Sequence, residues 1–145
     1  MRVVVIAVGK IKERGLRALV DDYEKRIARY ARFEEIELVD GPSVEAKMRS
    51  AIPERARTIA LEVEGQRATS DGLAKMVGQC ESGAIPAIAF LIGGAYGLPV
   101  AVSAGASLRL SLSDMIFPHR LARLVLVEQI YRAFTILRNE PYSHG

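Results

Sequence analysis

The sequence predicts an α/β fold in which a mostly parallel sheet carries helices on both faces. Short apolar runs alternate with segments of helical periodicity along the whole chain. The first run, residues 2 to 8, is β-branched and nearly continuous in apolar character, as expected of a strand covered on both sides. Linkers, repeats and low-complexity tracts are not evident, and half of the 145 residues are hydrophobic. We therefore expect a single domain spanning residues 1–145 with a core of its own.

The predicted elements follow one another at the spacing of strand–helix units. Strands are predicted at 2–8, 33–39, 58–63, 85–92 and 108–112, the third ending at Gly65. Helices are predicted at 16–30, after Ser43 up to Pro53, at 70–82 with Ser70-Asp71 as the cap, at 98–104, and from Pro118 to about Leu137. This order predicts a parallel sheet built by crossover connections.

The last helix is apolar around most of its circumference. Its interruptions are chiefly Arg120, Arg123, Glu128 and Arg132, and the last two are spaced for an ion pair within the helix. A helix covering one sheet face needs only one apolar stripe, so the excess predicts a second contact, for which a partner subunit is the simple explanation. Full burial within one small domain is the alternative.

The glycine turn that ends the fourth strand is the first place to expect a ligand. The apolar run from Ile88 stops at Gly93-Gly94, and ligands of open α/β sheets bind just beyond the carboxyl ends of strands. Paired glycines leave bare backbone for a ligand to approach. They are also the commonest punctuation of a plain turn, which is the alternative interpretation.

Several ligand classes fit this turn poorly. A dinucleotide fingerprint places glycine where Ile92 stands, and it belongs after the first strand of its unit. A phosphate-binding GK[ST] sequence and a G-x-S-x-G nucleophile elbow are both missing. The two histidines, His119 and His144, have no partners at ligand spacing, so no metal site is predicted.

S-adenosylmethionine fits the strand ends better, because it needs an apolar slot and backbone groups but no phosphate cradle. Three strand ends offer such material: residues 61–65, 93–97 and 112–117. The last of these is apolar apart from Ser113 and Asp114, which is unusual for a connection and typical of a pocket wall or an interface.

Several short motifs occur in a fixed order along the chain. They are Ala7-Val8-Gly9-Lys10, Tyr23-Glu24-Lys25-Arg26, Leu91-Ile92-Gly93-Gly94 with Gly97-Leu98, Leu110-Ser111-Leu112-Ser113, Pro118-His119, Glu128-Gln129-Ile130-Tyr131-Arg132-Ala133 and Pro141-Tyr142. With these motifs the chain resembles the ribosomal RNA large subunit methyltransferase H family, of the SPOUT class of S-adenosylmethionine-dependent enzymes. The resemblance implies a trefoil knot in the C-terminal half, which the residue pattern alone would exclude by default.

The resemblance also implies a homodimer that methylates N3 of a pseudouridine in large-subunit ribosomal RNA, free or in the assembled ribosome. By position, the cofactor contacts of the family fall on Leu61, Gly93, Leu112, Ser113, Asp114, Met115, Ile116 and Phe117; Gly94 is added here from backbone access. Two departures from the family pattern are Ala95-Tyr96 after the paired glycines, and Ser143 between Pro141-Tyr142 and His144.

The C-terminal tail supplies the candidate catalytic residues. We expect residues 139–144 to close over the target base, with Tyr142 stacking on it or hydrogen-bonding to it. Arg138 or His144 would act electrostatically or as the proton acceptor. A frayed and inert tail is the alternative, since chain ends are often disordered.

The charge pattern favours an RNA partner. Residues 10–32 contain eight basic and four acidic side chains, a local excess of four against three for the whole chain. A solvated helix face of mixed charge is the plain alternative, and a non-enzymatic RNA-binding ribosome-assembly module is the rival function. The short apolar N-terminal run and the lone Cys80 predict a cytoplasmic protein without a membrane segment or disulfide.

Overall fold

The computed structural model describes residues 1–144, which form five β-strands, five α-helices and a short 3-10 helix. The strands are β1 (Arg2–Val8), β2 (Arg32–Leu38), β3 (Arg57–Arg67), β4 (Ala87–Ile92) and β5 (Leu108–Ser111). The α-helices are α1 (Arg14–Ile27), α2 (Val44–Ala51), α3 (Ser70–Ser82), α4 (Val100–Ala104) and α5 (His119–Leu137), and the 3-10 helix is Pro141–His144.

All five strands are parallel and lie in one sheet in the order β2-β1-β4-β3-β5. Alternate residues of β1 enter different cores, as the two-residue period of a strand requires. Val3 and Val5 pack with α1, α3 and α5 on one face, whereas Val4 and Ile6 pack with α2 and α4 on the other. The predicted α/β fold, with helices on both faces of a parallel sheet, is confirmed.

The third strand is longer than predicted. It continues through Gly65 to Arg67, so the expectation that Gly65 ends it was wrong. Beyond a register shift after Leu61, β3 resumes pairing with Leu110 and Ser111 of β5. A Cβ atom on Gly65 would lie 2.7 Å from the carbonyl carbon of Leu110, so glycine here permits a close passage of two backbones.

The helix starts differ from the predicted caps. Thr69, not Ser70-Asp71, caps α3, because its Oγ1 accepts a hydrogen bond of 2.9 Å from the Gly72 amide. Ser43 occupies the N-cap position of α2, but its side chain makes no capping hydrogen bond.

Helix α5 finds most of its apolar contacts within the protomer. It packs on the sheet between α1 and α3, and Leu126, Val127, Ile130 and Phe134 are fully buried. Neighbours inside the domain therefore cover most of its apolar circumference, and the partner subunit stays a prediction. Leu121, in the first turn, is 40% exposed and is an exception.

Helix α5 also separates two regions of interest. It leaves the carboxyl edge of the sheet after β5 and runs for 19 residues, about 28 Å, towards the amino edge. The predicted cofactor loop lies at its start, and the C-terminal tail follows its end.

None of the helices within residues 1–144 is long and apolar enough to cross a bilayer. The trefoil knot stays a prediction.

Candidate active site

Strand order brings the three predicted cofactor segments to one edge of the sheet. Leu61 pairs with Leu110 of β5, and the preceding residue, Ala60, pairs with Leu91 of β4. Gly93 lies two residues after Leu91, and Leu112 lies two residues after Leu110. Neighbouring strands β4, β3 and β5 therefore present their carboxyl ends together, which is where open α/β sheets bind ligands.

The glycine turn is closed by its own backbone. The Gly97 amide donates to the Gly94 carbonyl oxygen over 3.0 Å, and Gly97 has a φ of +80°. A Cβ atom on Gly93 would lie only 2.3 Å from the carbonyl carbon of Gly97. Turn closure by itself thus requires glycine at 93, whether or not a ligand approaches.

The loop after β5 is held by hydrogen bonds between residues close in sequence, and it exposes apolar side chains. Ser111 Oγ donates to the Ser113 carbonyl oxygen, and Ser113 Oγ accepts from the Met115 amide, both over 2.9 Å. Asp114 forms an ion pair of 2.7 Å with Arg67. Met115 and Ile116 are 75% and 80% exposed, so this ordered loop offers two large apolar side chains to a ligand or a partner.

A cavity of about 200 Å³ lies beside this loop. It is lined by residues 68–70, Leu73, residues 110–112, Val125 and Gln129. One wall is fixed by Ser70 Oγ, which donates to Gln129 Oε1 over 2.6 Å. Gln129 Nε2 in turn donates to Glu128 over 2.7 Å. A hydrogen-bonded chain therefore runs from this wall into the middle of α5.

The groups at this edge fit an adenosyl sulfonium better than a phosphate ligand. Apolar side chains of the loop suit an adenine ring, and the exposed residues 95–97 leave the glycine turn accessible to its polar edge. Helix α4, which follows the turn, has only five residues and no side-chain cap, so it offers little of the positive N-terminus that phosphates prefer.

A buried arginine network joins α5 to β2. The Arg123 side chain on α5 is fully buried, and its guanidinium contacts Glu35 and Glu37 of β2 as well as the Gly9 carbonyl oxygen at 3.0 Å. Arg17 of α1 reaches the same pair of carboxylates, at 2.5 Å from Glu35. In the sequence Arg123 is only an interruption of an apolar helix, and this network was not predicted. The two-residue spacing of Glu35 and Glu37 was the signal available.

The carboxyl group of Glu24 lies against the same network. Burial, followed by the neighbouring charge of Glu35, raises the pKa of Glu24 to about 8. One of its oxygens is buried without a hydrogen-bond partner. Carboxylate oxygens of Asp21, Glu24 and Glu35 come within 4.8 Å of one another, and Arg17 contacts all three residues.

The tail residues are engaged with the helices of their own protomer. The Tyr142 hydroxyl donates to Glu128 over 2.7 Å and lies 3.1 Å from the Tyr23 hydroxyl. Burial first, and then these two hydrogen bonds, raise the pKa of Tyr142. Its ring packs edge-on against Tyr131, with centroids 4.6 Å apart. Within residues 1–144 the tail is therefore folded back along α5.

The other two candidate catalytic residues flank Tyr142. The two terminal nitrogens of the Arg138 guanidinium lie 3.1 Å from the carboxylate oxygens of Glu81, and this hydrogen bonding raises the pKa of Arg138. His144 ends the 3-10 helix and is exposed. The structure brings these residues to one end of the molecule but does not bring them to the cofactor segments of the same protomer.

The basic segment is divided between the two ends of α1. Lys10, Lys12 and Arg14 lie at the carboxyl edge of the sheet, whereas Lys25, Arg29 and Arg32 lie at the other end of the helix. All six are exposed, and none forms an ion pair within residues 1–144. Arg17 instead pairs with the carboxylates of Glu35 and Glu37, so the basic residues of the segment 10–32 do not form one continuous face.

Comparison with known families assigns the chain. The family described as "Predicted SPOUT methyltransferase" matches residues 1–144. The chain belongs to the SPOUT methyltransferase family. The resemblance inferred from the motifs is confirmed by this match.

Relatives of SPOUT type match the chain from end to end. A protein of Sorangium cellulosum named ribosomal RNA large subunit methyltransferase H is 50% identical over 145 residues, covering 99% of this chain and all of the relative. Proteins of the same name from Geobacter metallireducens and Shouchella clausii are each 39% identical, covering 100% and 98% of this chain and 100% and 99% of the relatives.

Solved structures support the SPOUT fold. A probable methylase family protein from Haemophilus influenzae superposes with a TM-score of 0.55 at 12% identity, covering 97% of this chain and 68% of that one. A SpoU methyltransferase from Streptomyces viridochromogenes, solved in complex with AdoMet, superposes with a TM-score of 0.50 at 13% identity, covering 94% of this chain and 61% of that one. At these identities the likeness concerns the fold alone.

Proposed function

We propose that this chain methylates N3 of a pseudouridine in large-subunit ribosomal RNA, with S-adenosylmethionine as the methyl donor. The observation that carries the proposal is the convergence of the ends of β4, β3 and β5 at one sheet edge, in a chain of the SPOUT methyltransferase family. The relatives named as ribosomal RNA large subunit methyltransferase H support the substrate class. Such an enzyme works in the cytoplasm, where ribosomes are assembled.

In this proposal the protein holds the cofactor largely through backbone and apolar side chains. Leu61, Leu112, Met115 and Ile116 would pack against the adenosyl group, and Gly93 and Gly94 would bind it through main-chain atoms. Ser113, Asp114 and Phe117 complete the loop. When bound, S-adenosylmethionine supplies an electrophilic methyl group on a sulfonium. Placing that methyl in line with the target nitrogen gives most of the acceleration.

The target nitrogen carries a proton that must leave as the methyl group arrives. N3 of pseudouridine lies between two carbonyls, so a nearby cation stabilises the developing imide anion. Arg138 suits that role, because a guanidinium is protonated at every physiological pH, and its hydrogen bonds to Glu81 raise its pKa further. Tyr142, with its raised pKa, remains a hydrogen-bond donor or a stacking partner. His144 is then the proton acceptor among the three.

The same geometry favours a homodimer in which the tail of one protomer serves the other. The Tyr142 hydroxyl lies beside Glu128, ten residues and about 15 Å along α5 from Pro118 and the cofactor loop. A partner protomer can place its tail closer. Exposed apolar side chains at Leu19, Met115, Ile116 and Leu121 offer surface for such pairing.

The test combines cofactor binding with product mapping. Titration calorimetry with S-adenosylmethionine should show binding to the wild type and none to Gly93→Ala, because a Cβ at 93 collides with the turn. Gly15→Ala, which meets nothing within 4 Å, is the matched control. Large ribosomal subunits lacking the modification should gain one methyl at N3 of a pseudouridine, read by mass spectrometry. An RNA-binding module without enzymatic activity would bind RNA, but it would not bind the cofactor and would not transfer a methyl group.

A further inference from the structure

Tyr96 is the most exposed large hydrophobic residue of the described chain. Its side chain is 95% accessible, although an aromatic ring left in water gains nothing for the fold. It stands at the tip of the glycine turn, directly after the strand that leads to the proposed cofactor site. The turn is closed by a hydrogen bond from the Gly97 amide to the Gly94 carbonyl oxygen, and a bridge pairs the two glycines. The ring therefore stands at the tip of a hydrogen-bonded turn.

Cationic side chains lie on the segment that follows the neighbouring strand β1. Strand β1 neighbours β4, and a Cβ on Gly94 would lie 3.1 Å from Val8 Cγ1, so the chain after Val8 emerges beside the turn. That segment is anchored by the buried Ile11, whose amide donates to Glu37 over 3.2 Å. Lys10 and Lys12, on either side of it, are exposed.

One acidic group faces the same turn. Asp40 Oδ2 lies 3.7 Å from the position of a Cβ on Gly94, and Asp40 Oδ1 accepts a hydrogen bond from the Gly41 amide over 2.8 Å. A carboxylate here repels phosphate from the base of the turn. Phosphate contacts therefore fall to Lys10 and Lys12, and the tip of the turn is left for an uncharged planar group.

We propose that Tyr96 stacks on an unpaired base of the RNA substrate, while Lys10 and Lys12 contact the adjacent phosphates. This inference rests on the proposed function and extends it by naming the substrate-binding residue beside the methyl-transfer site. An aromatic ring flanked by flexible cations is the arrangement that binds single-stranded nucleic acid without sequence preference. Stacking on a fixed ring also orients the RNA backbone next to the cofactor turn.

The experiment compares ring-removing and ring-retaining variants at position 96. The probe is a synthetic large-subunit RNA stem-loop with 2-aminopurine in its loop, whose fluorescence falls on stacking. Tyr96→Ala should weaken RNA binding about 5- to 150-fold and abolish the quenching, with the S-adenosylmethionine affinity unchanged. Tyr96→Phe and Tyr96→Trp should retain both. Val100→Ala, which removes another exposed apolar side chain at 84% exposure, is the matched control and should change neither.

Three outcomes would overturn the inference. The first is wild-type RNA affinity in Tyr96→Ala. The second is an equal loss in Tyr96→Phe, which would assign the effect to the hydroxyl group. The third is a change in particle mass of Tyr96→Ala by light scattering, which would place the ring between protomers. If the wild type transfers methyl and Tyr96→Ala does so equally well, only this inference fails. If the wild type binds no S-adenosylmethionine and transfers no methyl, the proposed function fails.

Discussion

The imidazole of His119 lies over the backbone of Gly9. Nε2 is 3.2 Å from the position that a Cβ on Gly9 would occupy, and Gly9 has a φ of +101°. His119 is the first residue of α5, and Gly9 directly follows β1, so this contact joins the start of the last helix to the end of the first strand. The space and the backbone angle both require glycine at position 9.

Gly9→Ala should therefore destabilise the protein by about 1–3 kcal/mol. Urea unfolding followed by circular dichroism measures the change. Gly15→Ala, within α1 and without steric neighbours, is the control and should be neutral or stabilising by up to about 1 kcal/mol. Equal stability of the two variants would contradict the requirement at position 9.

Glu24→Gln should change how stability depends on pH. The folded protein holds a proton on Glu24 with a pKa of about 8, above the ordinary value of 4.5, mainly because of burial. The contribution of this group to stability is complete below about pH 4.5 and is lost as the pH rises through 8. The variant keeps an uncharged side chain at every pH. The free energy of unfolding of the variant should therefore rise relative to that of the wild type between pH 6 and pH 9.

Urea midpoints at the two pH values test this expectation. Glu45→Gln alters a half-exposed carboxylate on α2 and is the control, which should show no such growth. A stability difference between Glu24→Gln and the wild type that stays constant with pH would show that Glu24 is ionised at neutral pH.

Arg123→Ala should be among the most destabilising single substitutions. It leaves the carboxylates of Glu35 and Glu37 without their buried partner, and breaking a buried pair costs about 3–5 kcal/mol. Arg2→Ala breaks the ion pair with Glu34 of β2, where both side chains are nearly half exposed, and should cost about 0–1 kcal/mol. Similar losses in the two variants would mean that water screens the Arg123 network.

Replacing Lys10 and Lys12 together with Ala should weaken RNA binding and reduce its salt dependence. Each lost phosphate contact lowers the slope of log K against log salt by about 0.7–0.9. Filter binding at several salt concentrations gives the slope, and calorimetry with S-adenosylmethionine should show no change. The double variant of Lys47 and Arg49 on α2 is the control, because these cations lie on the opposite face of the sheet. An unchanged slope for the Lys10 and Lys12 variant would contradict the assigned RNA contact.

Deletion of residues 142–145 should slow methyl transfer without weakening cofactor binding. The tail carries Tyr142 and His144, which the proposed mechanism places at the target base, whereas the cofactor segments lie at the far end of α5. Single-turnover methylation and calorimetry separate the two effects. Wild-type transfer by the truncated protein would show that the tail is inert.

The strand–helix order was predictable because apolar periodicity reports it directly. The first strand has the predicted bounds, and the turn at Gly93 lies where expected. The length of β3 was not predictable, because Gly65 usually ends a strand and here allows close approach to Leu110 instead. That choice depends on a chain segment 45 residues away, which no local pattern contains.

The candidate site was predictable in its segments but not in its charges. Neighbouring parallel strands have their carboxyl ends at the same edge of the sheet. Leu61, Gly93 and Leu112 therefore lie at one edge, because their strands are neighbours. The burial of Arg123 depends on the side on which β2 joins the sheet, and therefore on where Glu35 and Glu37 point. The attachment of Tyr142 to Glu128 and Tyr23 likewise needs the packing of α1 against α5.

The outer position of β2 in the sheet gives its carboxylates a second consequence. One side of this strand has no neighbour within the described chain, and unpaired strand edges recruit other chains. Glu34, Glu35 and Glu37 set negative charge along that margin while the arginines hold their geometry. Replacing these glutamates with apolar residues would leave an uncharged strand edge to which another chain can pair. Such variants should therefore aggregate even where the fold survives.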